Sequence, residues 1–406
     1  MCEIRERFQP SFDYSYLKGI IFFIFIQVKP LKNILLSQVE AYLIHSPMGK
    51  RVYQIDLFRF IAAIVVVLHH YLFRGHAADG KSPIAFDGLA DIFKYGYLGV
   101  DFFFIISGFV IVLSIRDLSI KKFIVSRITR LYPAYWFCVI LTFLVITYFG
   151  SPIFYANFPQ LIANLTMLHS FIGYDNIDGV YWSLIVELQF YFLIGAFLIF
   201  NQFVKIKFDH LVLFWLGITV LHLFFKDFII FKAAYYLLIL EWSSYFIAGI
   251  IFYQIFKEGI KTKHIVLLLI CLAISLKGAI IQIDKVQQHY NTSFSPYIIC
   301  AAITAFYLLM FLVTTGRLQA INSPKMLQLG LLTYPLYLVH QNIGYIIFNN
   351  FGMYINKYFL LLFTVTLMLM LSYFISKYIE PPIAAFLKNV LEKRFYLKSR
   401  KLSSQT

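Results

Sequence analysis

Charged residues are scarce in this sequence. Asp, Glu, Lys and Arg make up 14% of its 406 residues, whereas a soluble domain typically has about 25%. Hydrophobic residues account for 60% of the chain and aromatic residues alone for 19%. This shortage of charge excludes an ordinary soluble globular domain and indicates a chain that lies mostly in lipid.

Cysteine is also rare, and the four cysteines are Cys2, Cys138, Cys271 and Cys300. They have no metal-ligand spacing, and the last three lie in or beside apolar segments. We therefore expect buried free thiols and predict neither a disulfide framework nor a metal site.

Apolar runs of roughly 20 residues, long enough to cross a hydrocarbon core of about 30 Å, recur along most of the chain. They predict an all-α, polytopic transmembrane helix bundle with about ten spans. We place these spans near residues 55–74, 95–115, 131–149, 179–200, 208–225, 236–256, 264–282, 295–314, 326–349 and 357–378. The segment 158–173 is shorter and more polar, which favours an amphipathic or re-entrant helix.

The net charge of +15 reflects membrane topology. With the N-terminus placed in the cytoplasm, 21 Lys and Arg residues fall on the cytoplasmic side and 8 on the opposite side. This bias predicts that both termini are cytoplasmic. No soluble region combines a basic patch with exposed aromatic residues, so nucleic acid is not a predicted partner.

Three regions follow from this pattern. We expect residues 1–48 to be an N-terminal extension of doubtful significance, with either Met1 or Met48 as the true start. Residues 49–380 form the predicted transmembrane domain, and residues 381–406 form a basic cytoplasmic tail.

Two ionisable residues lie in the first predicted span, "IDLFRFIAAIVVVLHHY". Arg59 and His70 are eleven residues apart, so in an α-helix they share one face and differ in height by about 16 Å. A snorkelling arginine and an interfacial histidine would explain each residue alone. Their shared face favours a functional role for the pair, because ionisable groups inside a membrane are costly.

Further polar groups lie in later spans. Asp101 and Ser107 fall in "GYLGVDFFFIISGF", although Asp101 could also lie at the outer interface. Ser183 and Glu187 are one helical turn apart in "VYWSLIVELQFYF". In "LTYPLYLVHQN", Tyr334, Tyr337 and His340 form a stripe along an otherwise apolar helix.

Arg127 and Arg130, in "RITRLYPAYW", lie one turn apart before the third predicted span. Arginine pairs suit phosphate binding, although on spacing alone topological anchoring is the favoured explanation for these two. A histidine can act as general base, and Asp101 or Glu187 could orient its ring. The whole set fits acyl transfer to a hydroxyl and fits proton-coupled transport almost as well.

Together, these motifs resemble the acyltransferase-3 family of integral membrane O-acyltransferases, which modify bacterial cell-surface glycans. The matching segments are "DLFRFIAAIVVVLHH", "GVDFFFIISGF", "RITRLYPAYW", "YWSLIVELQFYF", "YPLYLVH" and "IEPP", in the family's order across residues 55–382. The resemblance places the family's essential Arg and His on Arg59 and His70, and its basic pair on Arg127 and Arg130.

The resemblance implies an acyl-CoA donor, expected to be acetyl-CoA, with its phosphates near Arg127 and Arg130. His70 would act as base or acyl carrier and Arg59 as donor or charge stabiliser, with Glu187 and Asp101 in the catalytic set. Ser183, Tyr337 and His340 would support the site, and no metal is expected.

It further implies a bacterial inner-membrane enzyme, a glycan acceptor outside the cytoplasm and, for any second transfer step, a separate periplasmic protein. The alternative is a transporter or flippase of a lipid-linked or acylated sugar, with His70, Asp101 and Glu187 as a proton path. The chain lacks the two-half internal symmetry that transporters often show.

Overall fold

The computed structural model describes residues 51–77, 80–115 and 119–403, with side chains to residue 395. The predicted extension 1–48 lies outside these residues. The described part of the chain contains helices and no β-strand, which confirms the predicted all-α class.

Fourteen α-helices of five residues or more follow one another along the described chain. The first seven are α1 (Tyr53–His69), α2 (Leu89–Phe93), α3 (Gly99–Ser114), α4 (Ile120–Phe149), α5 (Phe158–Leu165), α6 (Trp182–Val204) and α7 (Phe208–Phe225). The others are α8 (Ile229–Leu237), α9 (Ser243–Glu258), α10 (Thr262–Tyr290), α11 (Pro296–Thr314), α12 (Met326–Phe351), α13 (Lys357–Phe374) and α14 (Glu380–Ser403).

Short helical turns extend several of these helices. A π-helical turn, His70–Arg74, continues α1, and another, Ile375–Ile379, joins α13 to α14. Turns of 3-10 helix precede α3 and α6 at Lys94–Leu98 and Gly179–Tyr181. Such π-helical turns are rare and often mark functional sites.

Each of the ten predicted spans contains a helix, and among the described residues eight helices are long and apolar enough to cross a membrane. The chain is therefore a multi-pass membrane protein. The two helices outside this set are α9, which has 16 residues, and α12, which carries the polar residues of the site. The count of ten spans and the cytoplasmic placement of both termini stay predictions.

Three helices have ends that differ from those of the predicted spans. Helix α4 begins at Ile120, because Ser119 caps its first turn by accepting a hydrogen bond from the Lys122 amide. Helix α9 begins only at Ser243, after a turn in which Ile239 has φ of 44°. The final predicted span continues through the π-helical turn into α14, so the predicted basic tail is helical as far as Ser403.

The segment 158–173 contains the eight-residue helix α5 and a 3-10 turn at His169–Ile172. Asn157 caps α5 by accepting a hydrogen bond from the Gln160 amide. Backbone carbonyls of this segment accept hydrogen bonds from α4. Tyr135 donates to the Asn164 carbonyl and Trp136 to the Leu165 carbonyl.

The central packing brings α1 against α12 and α3, while α12 also packs on α4 and α13. Helix α9 lies along α3, and α14 lies along α4. The polar residues of α1, α3, α6 and α12 therefore come together inside the bundle. This arrangement positions the candidate site.

Candidate active site

A partly open cavity, with an empty volume of about 460 Å³ when its open mouth is included, lies among α1, α3, α6 and α12. Its polar lining residues are Arg59, Ser107, Ser183, Glu187, Thr333, Tyr334 and Tyr337, and its apolar lining residues are Val100, Phe103, Phe104 and Leu184. Six of these seven polar residues, all except Thr333, were singled out in the sequence analysis. The cavity is therefore a small, mixed-polarity pocket within an otherwise apolar bundle.

Arg59 is the cation of this cavity. Its side chain is half-buried, and no other described residue makes a hydrogen bond or ion pair with it. Glu187, Asp56 and Arg130 are its charged neighbours. A guanidinium without a direct partner in a cavity is suited to hold an anionic or carbonyl ligand.

Glu187 faces the same cavity and is held by two hydroxyl groups. Ser107 of α3 and Tyr191 of α6 both donate to Glu187 Oε1, at 2.9 and 2.6 Å. These hydrogen bonds fix the carboxylate on the cavity wall. Glu187 therefore takes part in the electrostatics around Arg59 and does not reach His70.

Arg127 and Arg130 lie behind the cavity wall, each against a different aromatic ring. Arg127 stacks over Tyr191 at 5.5 Å, and Arg130 over Tyr334 at 5.8 Å. Arg127 donates to Ser114 and Ser126, but its Nε is buried without a hydrogen-bond partner. The two arginines therefore lie within α4 at the Arg59 end of the site.

Arg130 has a carboxylate partner that the sequence did not indicate. Its Nη1 donates to Glu380 Oε1 at 2.9 Å, which ties α4 to the start of α14. Glu380 belongs to the "IEPP" segment, 250 residues away in sequence. No periodicity or spacing could have predicted this ion pair.

The cavity ends at Tyr337. The hydroxyl of Tyr337 lies 2.7 Å from Ser183 Oγ, and both groups also bond the Val180 carbonyl. Beyond the Tyr337 ring lies His340, with the two ring centroids 5.8 Å apart. We call Tyr337 and Ser183 the barrier, because both line the cavity and the Tyr337 ring contacts His340, whereas neither His70 nor His340 lines it.

His70 and His340 form a buried pair on the far side of the barrier. His340 Nε2 lies 3.2 Å from His70 Nδ1, and the rings meet edge to face with centroids 4.9 Å apart. His70 Nδ1 also lies 2.8 Å from the Val66 carbonyl, and His340 Nδ1 lies 2.9 Å from the Tyr337 carbonyl. Because carbonyls only accept, both neutral rings carry their proton on Nδ1.

The predicted geometry of α1 agrees with this arrangement. The helix is unbroken from Tyr53 to His69, so Arg59 lies about 16 Å along the axis from His70. Arg59 lines the cavity, while His70 lies beyond the barrier. We call the series of polar groups from Arg59, through Ser183 and Tyr337, to the His70–His340 pair the polar column. Arg59 and His70 lie at its opposite ends, and no single small group contacts both.

Arg74 is a site residue that sequence reasoning missed, since it was counted among the outer basic residues. It lies one turn beyond His70 in the π-helical turn, with its Nη1 3.4 Å from His70 Nε2. Its Nε is buried without a hydrogen-bond partner. The spacing of four residues from His70 was the signal that could have identified it.

Asp101 lies in a different cluster. Its interacting polar neighbours are Tyr245 of α9 and Glu241. Within the described residues, the partners of the His70 ring nitrogens are the Val66 carbonyl, His340 and Arg74. No carboxylate is among them. The expectation that Asp101 or Glu187 orients the His70 ring was therefore wrong in its geometry, because His340 occupies that position.

Asp178 is a second carboxylate that sequence reasoning missed, in the loop before α6. Its two oxygens accept hydrogen bonds from the amides of Val180 and Asn342, which joins this loop to α12. Burial raises the pKa of Asp178 to about 6, and these two amides oppose that rise. Asp178 therefore anchors the helix that carries Tyr337 and His340.

The described residues form no group of three His, Cys, Asp or Glu side chains that could hold a metal ion. The site consists of an arginine in a cavity, a tyrosine–serine barrier and a histidine pair. Such an arrangement, built into a multi-pass helical bundle, defines a membrane protein with a polar site inside the bundle.

Comparison with known proteins gives the family. The acyltransferase-domain family matches residues 52–380, and the chain belongs to this family of membrane acyltransferases. It is therefore an enzyme that transfers acyl groups. A similar curated protein is the peptidoglycan O-acetyltransferase OatA of Listeria monocytogenes, which is 28% identical over 177 residues.

That alignment covers 38% of this chain and 26% of the relative, so the chain spans about a quarter of the length of that protein. No solved structure matches the chain.

Proposed function

We propose that this enzyme transfers an acyl group, most simply acetyl, from cytoplasmic acyl-CoA to a hydroxyl of an extracytoplasmic glycan. The membrane would be the bacterial cytoplasmic membrane. The observation that supports the proposal is that Arg59 lines a cavity, whereas the His70–His340 pair lies beyond the barrier and is not among the lining residues. Donor and acceptor would enter this column from opposite ends.

The donor end is supported by three arginines. The phosphates of acyl-CoA would lie near Arg127 and Arg130, where the Arg127 Nε still lacks a hydrogen-bond partner. The pantetheine arm would then run past Tyr191 and Tyr334 into the cavity. Arg59 would hold the polar part of this arm, because none of the described residues makes a hydrogen bond or ion pair with it.

The acceptor end is supported by the tautomer of His70. Its Nε2 carries the lone pair, and a hydroxyl placed there would lose its proton to this nitrogen as its oxygen attacks the thioester carbon. When the resulting tetrahedral intermediate collapses, the C–S bond would break, and the proton on Nε2 would pass to the departing sulfur. An ester and free CoA result. A covalent route, in which Nε2 carries the acyl group first, uses the same nitrogen.

For either route the barrier must open, since Tyr337 stands between the cavity and the histidine pair. The Tyr337–Ser183 hydrogen bond is a neutral pair, whose net contribution is on the order of 1 kcal/mol. A bound thioester could replace it at little cost. The glycan class is supported by the relative, which is named as a peptidoglycan O-acetyltransferase.

The test uses inverted membrane vesicles that retain cell-envelope glycan in their lumen. Radiolabelled acetyl-CoA is added outside, and label in the glycan is measured for wild type, His70→Ala and the control His289→Ala. His289 is an exposed histidine on α10 and outside the cavity. Wild type and His289→Ala should transfer label, whereas His70→Ala should not.

Equal labelling by His70→Ala would contradict the role of His70. Absence of label with folded wild-type protein and intact glycan would contradict the acetyl-CoA donor or the glycan acceptor.

A further inference from the structure

A cation lies directly at the reactive nitrogen of His70. The Arg74 Nη1 is 3.4 Å from His70 Nε2, the nitrogen that carries the lone pair. That contact exists because the π-helical turn His70–Arg74 continues α1 without a break. A long contact of this kind is weak, so an entering substrate can displace it.

The guanidinium of Arg74 points inward. A snorkelling arginine would extend its head group into water, but the Arg74 Nε is buried and has no hydrogen-bond partner. No described carboxylate forms an ion pair with Arg74, and Asp178 interacts with it only at longer range. The group is therefore charged, partly desolvated and available to a ligand.

Charge must develop at this point in the proposed reaction. Attack on the thioester carbon moves the carbonyl electron pair onto oxygen, next to His70 Nε2. Arg59 lies about 16 Å away along α1 and beyond the barrier, so it cannot reach an oxyanion there. Among the cations of the described residues, Arg74 is the one within hydrogen-bond range of that nitrogen.

We propose that Arg74 is a catalytic residue, which donates hydrogen bonds to the oxyanion formed beside His70 Nε2. In direct attack, the oxygen of the hydroxyl bonds to the acyl carbon, its proton moves to Nε2 and the carbonyl oxygen becomes the anion that Arg74 binds. The anion then reforms the carbonyl as the C–S bond breaks. In the covalent route, Nε2 attacks the acyl carbon and the C–S bond breaks to release CoA thiolate; the hydroxyl oxygen then displaces Nε2 while its proton passes to that thiolate, and the same carbonyl oxygen carries the charge in both steps. This inference rests on the proposed function.

His340 completes the arrangement as a positioning residue. Its Nε2 lies 3.2 Å from His70 Nδ1, whose proton is shared with the Val66 carbonyl at 2.8 Å. This arrangement leaves Nε2 of His70 as the basic nitrogen and stabilises the ring when it becomes an imidazolium. In many hydrolases a carboxylate has this position. Here the imidazole of His340, whose Nδ1 donates to the Tyr337 carbonyl, occupies this position.

The kinetic test measures kcat and KM for acetyl-CoA in wild type, Arg74→Ala, Arg74→Lys and the control Lys226→Ala. Lys226 is an exposed cation after α7. Loss of one oxyanion donor typically lowers kcat by roughly 100-fold. We expect that loss in Arg74→Ala, with KM changed by less than about threefold. Lys226→Ala should behave as wild type.

Added guanidinium ion should restore part of the rate of Arg74→Ala and leave Lys226→Ala unaffected. Such rescue separates a catalytic role from a folding defect, because a misfolded protein would not respond. An unchanged kcat, or a raised KM with normal kcat, would overturn the proposal by making Arg74 dispensable or a binding residue.

An independent measurement is the ¹⁵N chemical shift of the His70 ring in wild-type protein. We expect protonated Nδ1 and unprotonated Nε2, and the opposite tautomer would also overturn the proposal. A wild type without transferase activity would remove the proposed function and this inference together. An active wild type with a fully active Arg74→Ala would remove this inference alone.

Discussion

Arg130 has a structural partner in Glu380 and, in the proposed function, a second role in binding the donor. Its ion pair with Glu380 joins α4 to α14, while the proposed function assigns it to the phosphates of the donor. Both side chains are partly buried, at 31% and 12% exposure, so the pair is screened less than a surface ion pair. A comparison of the two partners can separate structure from binding.

Glu380→Gln should lower the thermal unfolding temperature and leave KM for acetyl-CoA within about twofold, because the phosphates do not contact Glu380. Arg130→Gln should also lower stability, and it should raise KM about tenfold, the effect of one charge-assisted hydrogen bond. Thermal unfolding in detergent and initial-rate kinetics measure the two effects. A rise in KM for Glu380→Gln as large as that for Arg130→Gln would show that the ion pair acts as one unit.

Residue types predicted much of the site, and their partners were harder to predict. Helical spacing placed Ser183 and Glu187 on one face, as found, since both line the cavity. The His70–His340 contact joins residues 270 apart in sequence. Spacing within one helix carries no information about which helices become neighbours, so that pair could not be derived.

At the scale of elements, the close approach of α3 and α9 depends on two glycines. A Cβ at Gly108 would meet the Phe246 carbonyl, and a Cβ at Gly249 would meet the Ile105 carbonyl. Both obstacles are backbone atoms, which cannot rotate away. Small residues at such crossings let helix backbones pack closely in membranes.

Gly108→Ala and Gly249→Ala should each reduce folded yield and lower the unfolding temperature, because α3 and α9 must move apart. Gly217→Ala and Gly278→Ala are matched controls, since an added Cβ at either helix position meets nothing within 4 Å. These controls should be neutral or more stable by up to about 1 kcal/mol, the helix preference of Ala over Gly. Size-exclusion profiles and thermal melts test this, and well-folded Gly108→Ala protein would contradict the packing.

Element boundaries show what an apolar pattern can predict. The hydrophobic runs located a helix in every predicted span, but α4 extends eleven residues before its predicted start at 131. That extra stretch contains Lys121, Lys122 and two arginines, so it is too polar to be recognised as part of a span. Its helical state comes from the Ser119 cap and from packing on α14.

At the scale of the whole molecule, the direction of the polar column decides which substrate comes from which side. The described structure contains no membrane, and the orientation stays a prediction from the distribution of Lys and Arg. The Arg59 end should face the cytoplasm and the His70 end the outside. Residues in two exposed regions can report this direction.

Tyr155→Cys and Lys257→Cys serve as reporters, since both positions are exposed. In a background with Cys2 and Cys300 replaced by Ser, Cys138 and Cys271 are buried and should not react. An impermeant maleimide should label Tyr155→Cys in intact cells and Lys257→Cys only in inverted vesicles. The reverse pattern would invert the column and place acyl-CoA on the wrong side for the proposed reaction.

The barrier of Tyr337 and Ser183 bears on the electrical balance of the membrane. A continuous wet path between Arg59 and the histidine pair would conduct protons, each worth about 2.3 kcal/mol per 100 mV of potential. With the cavity closed at Tyr337, only the reacting groups would cross. In the proposed reaction an acyl group leaves the cytoplasmic thioester while the proton of the acceptor hydroxyl ends on CoA. Formally, a positive acyl unit moves outward as a proton moves inward, so turnover is electroneutral and draws nothing from the membrane potential.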